Sequence, residues 1–215
     1  MLKTKSCNLI FDFDGTLVDS FNTIMQTFNL LAEEFNFRKL KENEIDGLKN
    51  LTSKELIRYL HIPIVKLPKV MRQAREYLRN EMPLLPAFID LPEVLAELHH
   101  LGCSLTIVTS NSSENVTLWL ERYNISHLFN FIHSESSYFG KKHSLKKLIK
   151  SQKMNTLQTY YIGDETRDVE AAQKCNINSI AVSWGFNSLK VLSCSNPDYI
   201  ANKPKDLLTI IKERK

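Results

Sequence analysis

Five short apolar runs, at residues 8–11, 105–108, 129–133, 160–162 and 179–182, constrain the fold of this chain more than any other feature. Helix-forming stretches separate most of them, and each run has the length of a strand. Strands that are apolar on both faces belong in a parallel sheet covered on both sides. The alternation predicts an α/β fold, a Rossmann-like parallel sheet with right-handed crossovers. Helices are expected over 92–100 (closed by Gly102), over 145–150, after Asp168 through 169–172, and over 204–212 with Pro204 in the first turn.

Residues 18–82 break the alternation, because no convincing strand occurs there. Phe21, Ile24, Met25, Phe28, Leu31 and Phe35 recur at helical spacing, with Asp19 or Ser20 as N-cap. Leu56, Ile57, Tyr59 and Leu60 predict a second helix, and 70–79 a third, while 44–50 reads as a loop. Pro83 and Pro86 mark the return to the sheet. The expected organisation is a core domain over 1–17 and 83–215 with a helical domain over 18–82 inserted after the first strand.

A chain of 215 residues suits one well-buried domain with a smaller insert. No apolar run approaches the roughly 20 residues that cross a bilayer. Residues 1–6 are too short and polar for a signal peptide, so a cytoplasmic location is expected. The four cysteines form no C-x-x-C pair, which argues against a zinc or redox motif. Net charge is +4, and the densest basic stretch, Lys141 to Lys153, reads mostly as the solvated face of a helix rather than a nucleic-acid site.

Three polar clusters directly follow predicted strands. They are Asp12-Phe13-Asp14-Gly15-Thr16, Thr109-Ser110-Asn111 and Gly163-Asp164-Glu165-Thr166-Arg167-Asp168. Ligands of an open parallel sheet bind at the carboxyl ends of its strands, so the clusters should meet. Asp12, Asp14, Asp164 and Asp168, with Glu165 nearby, would then repel one another unless a cation joined them. Oxygen donors without His or Cys favour Mg²⁺. Thr109, Ser110 and a lysine suit a phosphate, and Mg²⁺ beside such donors stabilises a phosphoryl group in reaction.

These motifs resemble those of the haloacid dehalogenase superfamily, in its phosphoglycolate phosphatase-like branch. Asp12 to Ser20 is similar to the first motif, Thr109 to the second, Phe139-Gly140-Lys141-Lys142 to the third, and Ile162 to Ala172 to the fourth. The resemblance implies that Asp12 attacks phosphorus and forms an aspartyl-phosphate. Asp14 would protonate the leaving oxygen and later activate water. Mg²⁺ would be held by Asp12, the Asp14 carbonyl and Asp164, with Asp168 in support. Thr109, Ser110 and Lys141 would bind phosphate; Lys142 is the alternative to Lys141, because both lack the prolines usual after the motif lysine. Glu165 stands where the family commonly has a small residue. An acid at position 14 separates phosphoryl transfer from dehalogenation.

The helical insert corresponds to a cap that excludes water and selects substrate. Lys49 and Arg58 are cap candidates for an acidic substrate, with solvated surface positions as the plainer reading. The expected function is a Mg²⁺-dependent phosphatase acting on a small phosphate monoester, phosphoglycolate-like or a sugar phosphate. A sugar-phosphate mutase similar to beta-phosphoglucomutase, a pyrophosphatase and a non-catalytic binding protein are the alternatives. The expected partner is a small phosphorylated metabolite, with no nucleic acid and no membrane, and the expected state is a monomer or homodimer.

Overall fold

The computed structural model describes residues 7–134 and 140–213. Residues 1–6, and Phe139 of the third motif, lie outside the described residues. Six parallel strands form one sheet: β1 (Asn8–Phe11), β2 (Ser104–Thr109), β3 (Phe129–Ser134), β4 (Thr159–Gly163), β5 (Asn178–Val182) and β6 (Tyr199–Ala201). Their spatial order is β3-β2-β1-β4-β5-β6, so the first strand lies in the interior of the sheet. Phe11 is level with Ile107 on one side and Ile162 on the other. That register brings Asp12, Thr109 and Asp164 out at one edge.

Ten helices accompany the sheet among the described residues: α1 (Phe21–Phe35), α2 (Ile45–Leu48), α3 (Ser53–Tyr59), α4 (Leu67–Leu78), α5 (Leu91–His100), α6 (Ser113–Arg122), α7 (Lys141–Ser151), α8 (Thr166–Gln173), α9 (Leu189–Cys194) and α10 (Asp206–Glu213). Alternate residues of β1 feed different layers, as the two-residue period of a strand requires. Leu9 and Phe11 join a core with Leu95 of α5, Trp119 of α6 and Leu207 of α10. Ile10 joins Val108, Tyr161, Leu145 of α7 and Ala172 of α8 on the other face. Burial on both faces explains why these strands read as unbroken apolar runs.

Helices α1 to α4 gather a hydrophobic cluster of their own, built on Met25, Leu31, Leu60 and Val70. Ser20 takes the N-cap position of α1, but its side chain makes no capping bond. The stretch expected as a loop at 44–50 is instead a 3₁₀ turn (Glu42–Glu44) running into α2. The Glu44 carboxylate accepts the Lys41 backbone N–H at 3.0 Å, and Leu48 is buried, so local capping and one apolar anchor fold a segment whose composition looks like a loop. Pro204 does not open the last helix. It sits in a turn before α10, where Asp206 accepts the backbone N–H groups of Asn202 (2.8 Å) and Lys203 (3.1 Å). Asp168 lies inside the first turn of α8 rather than ahead of it, and α7 starts at Lys141, earlier than expected.

Candidate active site

The loop after β1 is shaped before any ligand enters it. Gly15 has φ +74°, a left-handed conformation that glycine adopts without strain, and a Cβ there would overlap the Asp164 carboxylate and the Phe186 ring. Gly185 is equally confined, since a Cβ would strike Asp164 and the Gly15 carbonyl. Phe13 points into the core against Trp119, with the rings edge-on at 5.3 Å, and so turns its two neighbouring aspartates toward the sheet edge. Trp184 Nε1 donates to the Thr16 carbonyl at 3.1 Å and closes the loop from the β5 side.

Three carboxylates converge there. Oxygens of Asp12, Asp164 and Asp168 lie within 4.8 Å of one another, and all three residues are buried. The Asp164 carboxylate accepts from Thr16 Oγ1 and from the Phe186 backbone N–H, both at 2.7 Å. Asp168 accepts the Glu165 N–H at 3.0 Å, which ties the fourth motif to the start of α8. Lys141 reaches this cluster from the first residue of α7. Its Nζ donates to Asp12 Oδ2 and, at 2.6 Å, to Asp168 Oδ1. Lys142 points to solvent, so Lys141 is the lysine in contact with Asp12.

Asp14 stands apart from the three. Both its carboxylate oxygens face Asn111 Nδ2, at 3.3 and 3.4 Å. Asn111 is buried and aimed by its surroundings: its N–H donates to Thr109 Oγ1 at 2.9 Å, and its Oδ1 accepts from Asn115 Nδ2 at 3.1 Å. Thr109 therefore sets the turn that presents Ser110 and Asn111, and both of these line the cleft. Glu165 binds Arg167 and accepts from Ser53 of the helical block.

The electrostatics follow from burying several anions together. Burial drives the Asp12 carboxyl from its ordinary 3.8 to about 7, with Lys141 pulling the other way. Burial also raises Asp14, opposed by the Asn111 hydrogen bond. Asp164 is held well above the carboxylate range by burial, then by the charges of Glu165, Asp12 and Asp168. Burial lowers Lys141, but Asp12 and Asp168 outweigh it and keep the ammonium well above its usual range. A hard divalent cation fits this donor set, because it takes oxygen ligands and removes the repulsion that burial creates.

Of the residues singled out in the sequence, Asp12, Asp14, Thr109, Ser110, Lys141, Asp164 and Asp168 come together. Lys49 and Arg58 do not line the cleft; Lys49 lies over the Phe21 ring at 4.9 Å, and Arg58 is exposed. The sequence reading passed over Asn111 as a partner of Asp14, and it missed the segment 184–187 and Arg75. Residues 184–187 follow β5 at the same carboxyl edge, so the rule that located the other clusters applies to them also.

A family model described as haloacid dehalogenase-like hydrolase matches residues 9–182. A phosphoglycolate phosphatase of Synechococcus elongatus is 31% identical over 205 residues, covering 95% of this chain and 97% of the relative. A pyrophosphatase, PpaX, of Oceanobacillus iheyensis is 26% identical, over 94% of this chain and 95% of its own. Among solved structures, a haloacid dehalogenase-like hydrolase of Streptococcus pneumoniae superposes with a TM-score of 0.77 at 24% identity, covering 97% of this chain and 99% of that one, and shares the fold. The family match runs from β1 to the end of β5 and takes in Asp12, Asp164 and Asp168, and with the Synechococcus relative alike over nearly the whole length, the chain belongs to the haloacid dehalogenase-like hydrolase family.

Proposed function

We propose that this chain is a Mg²⁺-dependent hydrolase of phosphate monoesters that works through a phosphorylated Asp12. The observation that carries the reading is the pairing of two aspartates on one loop in different environments. Asp12 contacts Lys141 inside the acidic cluster, while Asp14 faces Asn111 two residues on. Lys141 holds Asp12 Oδ2, which leaves Oδ1 to attack phosphorus. As that P–O bond forms, the bond to the alcohol oxygen breaks and Asp14 gives this oxygen its proton. Asp14, now a carboxylate, takes a proton from water as the water attacks phosphorus. The bond to Asp12 then breaks, which frees inorganic phosphate and restores the carboxylate. Asp12, Asp164 and Asp168 would hold Mg²⁺, with the Asp14 carbonyl as a further donor. The ion would supply positive charge to the phosphoryl oxygens.

Residues 18–82 form the cap in this reading, and 1–17 with 83–215 the core. Bonds between the two support a closed arrangement: Asn187 Nδ2 donates to the Leu51 carbonyl at 2.8 Å, and Ser188 N donates to the Lys49 carbonyl at 2.7 Å. The relatives named phosphoglycolate phosphatase favour hydrolysis over phosphoryl return to a sugar. Aryl phosphate hydrolysis, followed by phosphate release, tests the reading. Activity should vanish with chelator and in Asp12→Asn, and a wild type inert toward a broad panel of phosphate esters would sink it.

A further inference from the structure

The cleft that holds Asp12 and Asp14 continues into the cap, and its walls change character on the way. The empty space along it, open solvent at its mouth included, comes to about 1090 Å³. Its floor is polar, with Asn111, Glu165 and Arg167 beside the two aspartates. Among the described residues, every cap side chain on its walls is apolar except Ser53 and Arg75. Ser53 is tied down to Glu165 at the floor. Ile24 and Phe28 come from α1, Leu56 and Ile57 from α3, and Met71 from α4. These five are only partly buried, although they pack on the cap's own hydrophobic cluster.

Protein interiors fill space to the density of organic crystals, and an unfilled space among such side chains costs stability. A space of that kind opening onto a nucleophile is room for part of a ligand. In-line displacement says which part. The leaving group departs opposite Asp12 and beside Asp14, and both line this cleft, so the organic portion of the ester extends toward the cap. A second opening, lined by Lys54, Lys142, Arg167 and Lys174, adjoins Lys141 but holds neither aspartate, so the leaving group does not enter it. A carboxylate or sugar hydroxyl among Ile24, Phe28 and Leu56 would lose its water with Arg75, one turn along α4 from Met71, as its single charged partner from the cap among the described residues, whereas an alkyl or aryl group gains by leaving water.

We infer that the preferred substrate is the phosphate monoester of an apolar alcohol, alkyl or aryl, whose carbon skeleton lies among Ile24, Phe28, Leu56, Ile57 and Met71. The inference rests on the phosphoryl-transfer reading of Asp12 and Asp14. It is tested by kcat/KM with Mg²⁺ for methyl, propyl, hexyl and phenyl phosphate and for phosphoglycolate. The expected profile rises about fourfold per added methylene, with phosphoglycolate at least about tenfold below propyl phosphate, its near match in length. A flat or falling profile, or phosphoglycolate above propyl phosphate, overturns the inference and makes Arg75 a carboxylate anchor.

Met71→Trp and Leu56→Trp fill the space from different helices. Each is expected to cut the hexyl-to-methyl ratio of kcat/KM about tenfold, and an unchanged ratio in both folded variants counts against the pocket. Calorimetric binding of hexyl and methyl phosphate to Asp12→Asn needs no turnover, and hexyl phosphate is expected to bind tighter. If no ester is hydrolysed by the wild type while that preference holds, the phosphatase reading fails and the apolar pocket stands. If esters are hydrolysed with no chain-length preference in either measurement, the pocket fails and the phosphatase reading stands.

Discussion

Replacing Asp12 should make the metal-free protein more stable. Asp12 sits 3% exposed, and burial lifts its carboxyl from 3.8 to about 7 even with Lys141 in contact. A raised carboxyl binds its proton more tightly folded than unfolded. Stability is therefore lost as pH climbs through the window between 3.8 and about 7, and the loss is complete above it. Near pH 8 the whole difference applies, roughly 4 kcal/mol; near pH 5 the folded carboxyl still carries its proton and the penalty is roughly 2 kcal/mol. Asparagine cannot ionise, yet it keeps an oxygen for Lys141. In chelator, Asp12→Asn should melt about 8–16 °C above wild type at pH 8, and about half that at pH 5. Scanning calorimetry at the two pH values measures both gaps. Excess Mg²⁺ should narrow the pH 8 gap, because the ion binds the ionised wild-type site. A variant that melts at or below wild type at pH 8 in chelator, or a gap that fails to shrink toward pH 5, would refute this account of the site's electrostatics.

Three further outcomes follow from the geometry. Lys141→Ala should lower kcat about 10²–10³-fold, as loss of a preorganised cation does, while exposed Lys142→Ala stays within about twofold; equal effects in steady-state kinetics would contradict the placement of Lys141. Gly15→Ala forces a side chain into a left-handed backbone against Asp164, and should cost about 1–3 kcal/mol in thermal unfolding. Asn187→Ala removes the bonds to the Leu51 carbonyl and the Thr166 N–H, so KM should rise roughly 2- to 10-fold if the helical block is the proposed cap; an unchanged KM would deny that Asn187 latches it.

The central strands were legible because burial on both faces leaves an unbroken apolar signature, as in β1 and β4. The carboxyl-edge rule then assembled Asp12, Thr109 and Asp164 from three distant places. β6 escaped because it has only three residues, two of them half-buried. Helix α6 does carry Val116, Trp119 and Leu120 at helical spacing, but its opening turn is all polar and reads as loop. Asn111 was in view as a polar residue; its role depends on Asn115 and Thr109 aiming the amide at Asp14, which no linear pattern encodes. The interior of the helical block formed by α1 to α4 was the least legible part. Composition shows that α1, α3 and α4 are apolar on one face, but not that their side chains leave a space where they meet.

The strand order has a consequence for how the protein is made. β1 is synthesised first but lies between β2 and β4, and Thr16 precedes its hydrogen-bond partner Asp164 by 148 residues. At ribosomal speeds of roughly 5–20 residues per second, β1 waits about 7–30 s for its second neighbour. Through that interval Leu9, Ile10 and Phe11 have an open edge, and Asp12 lacks Asp164 and Asp168. The nascent chain thus carries Asp12 before its buried site exists, and β1 is the strand longest in need of protection from other chains.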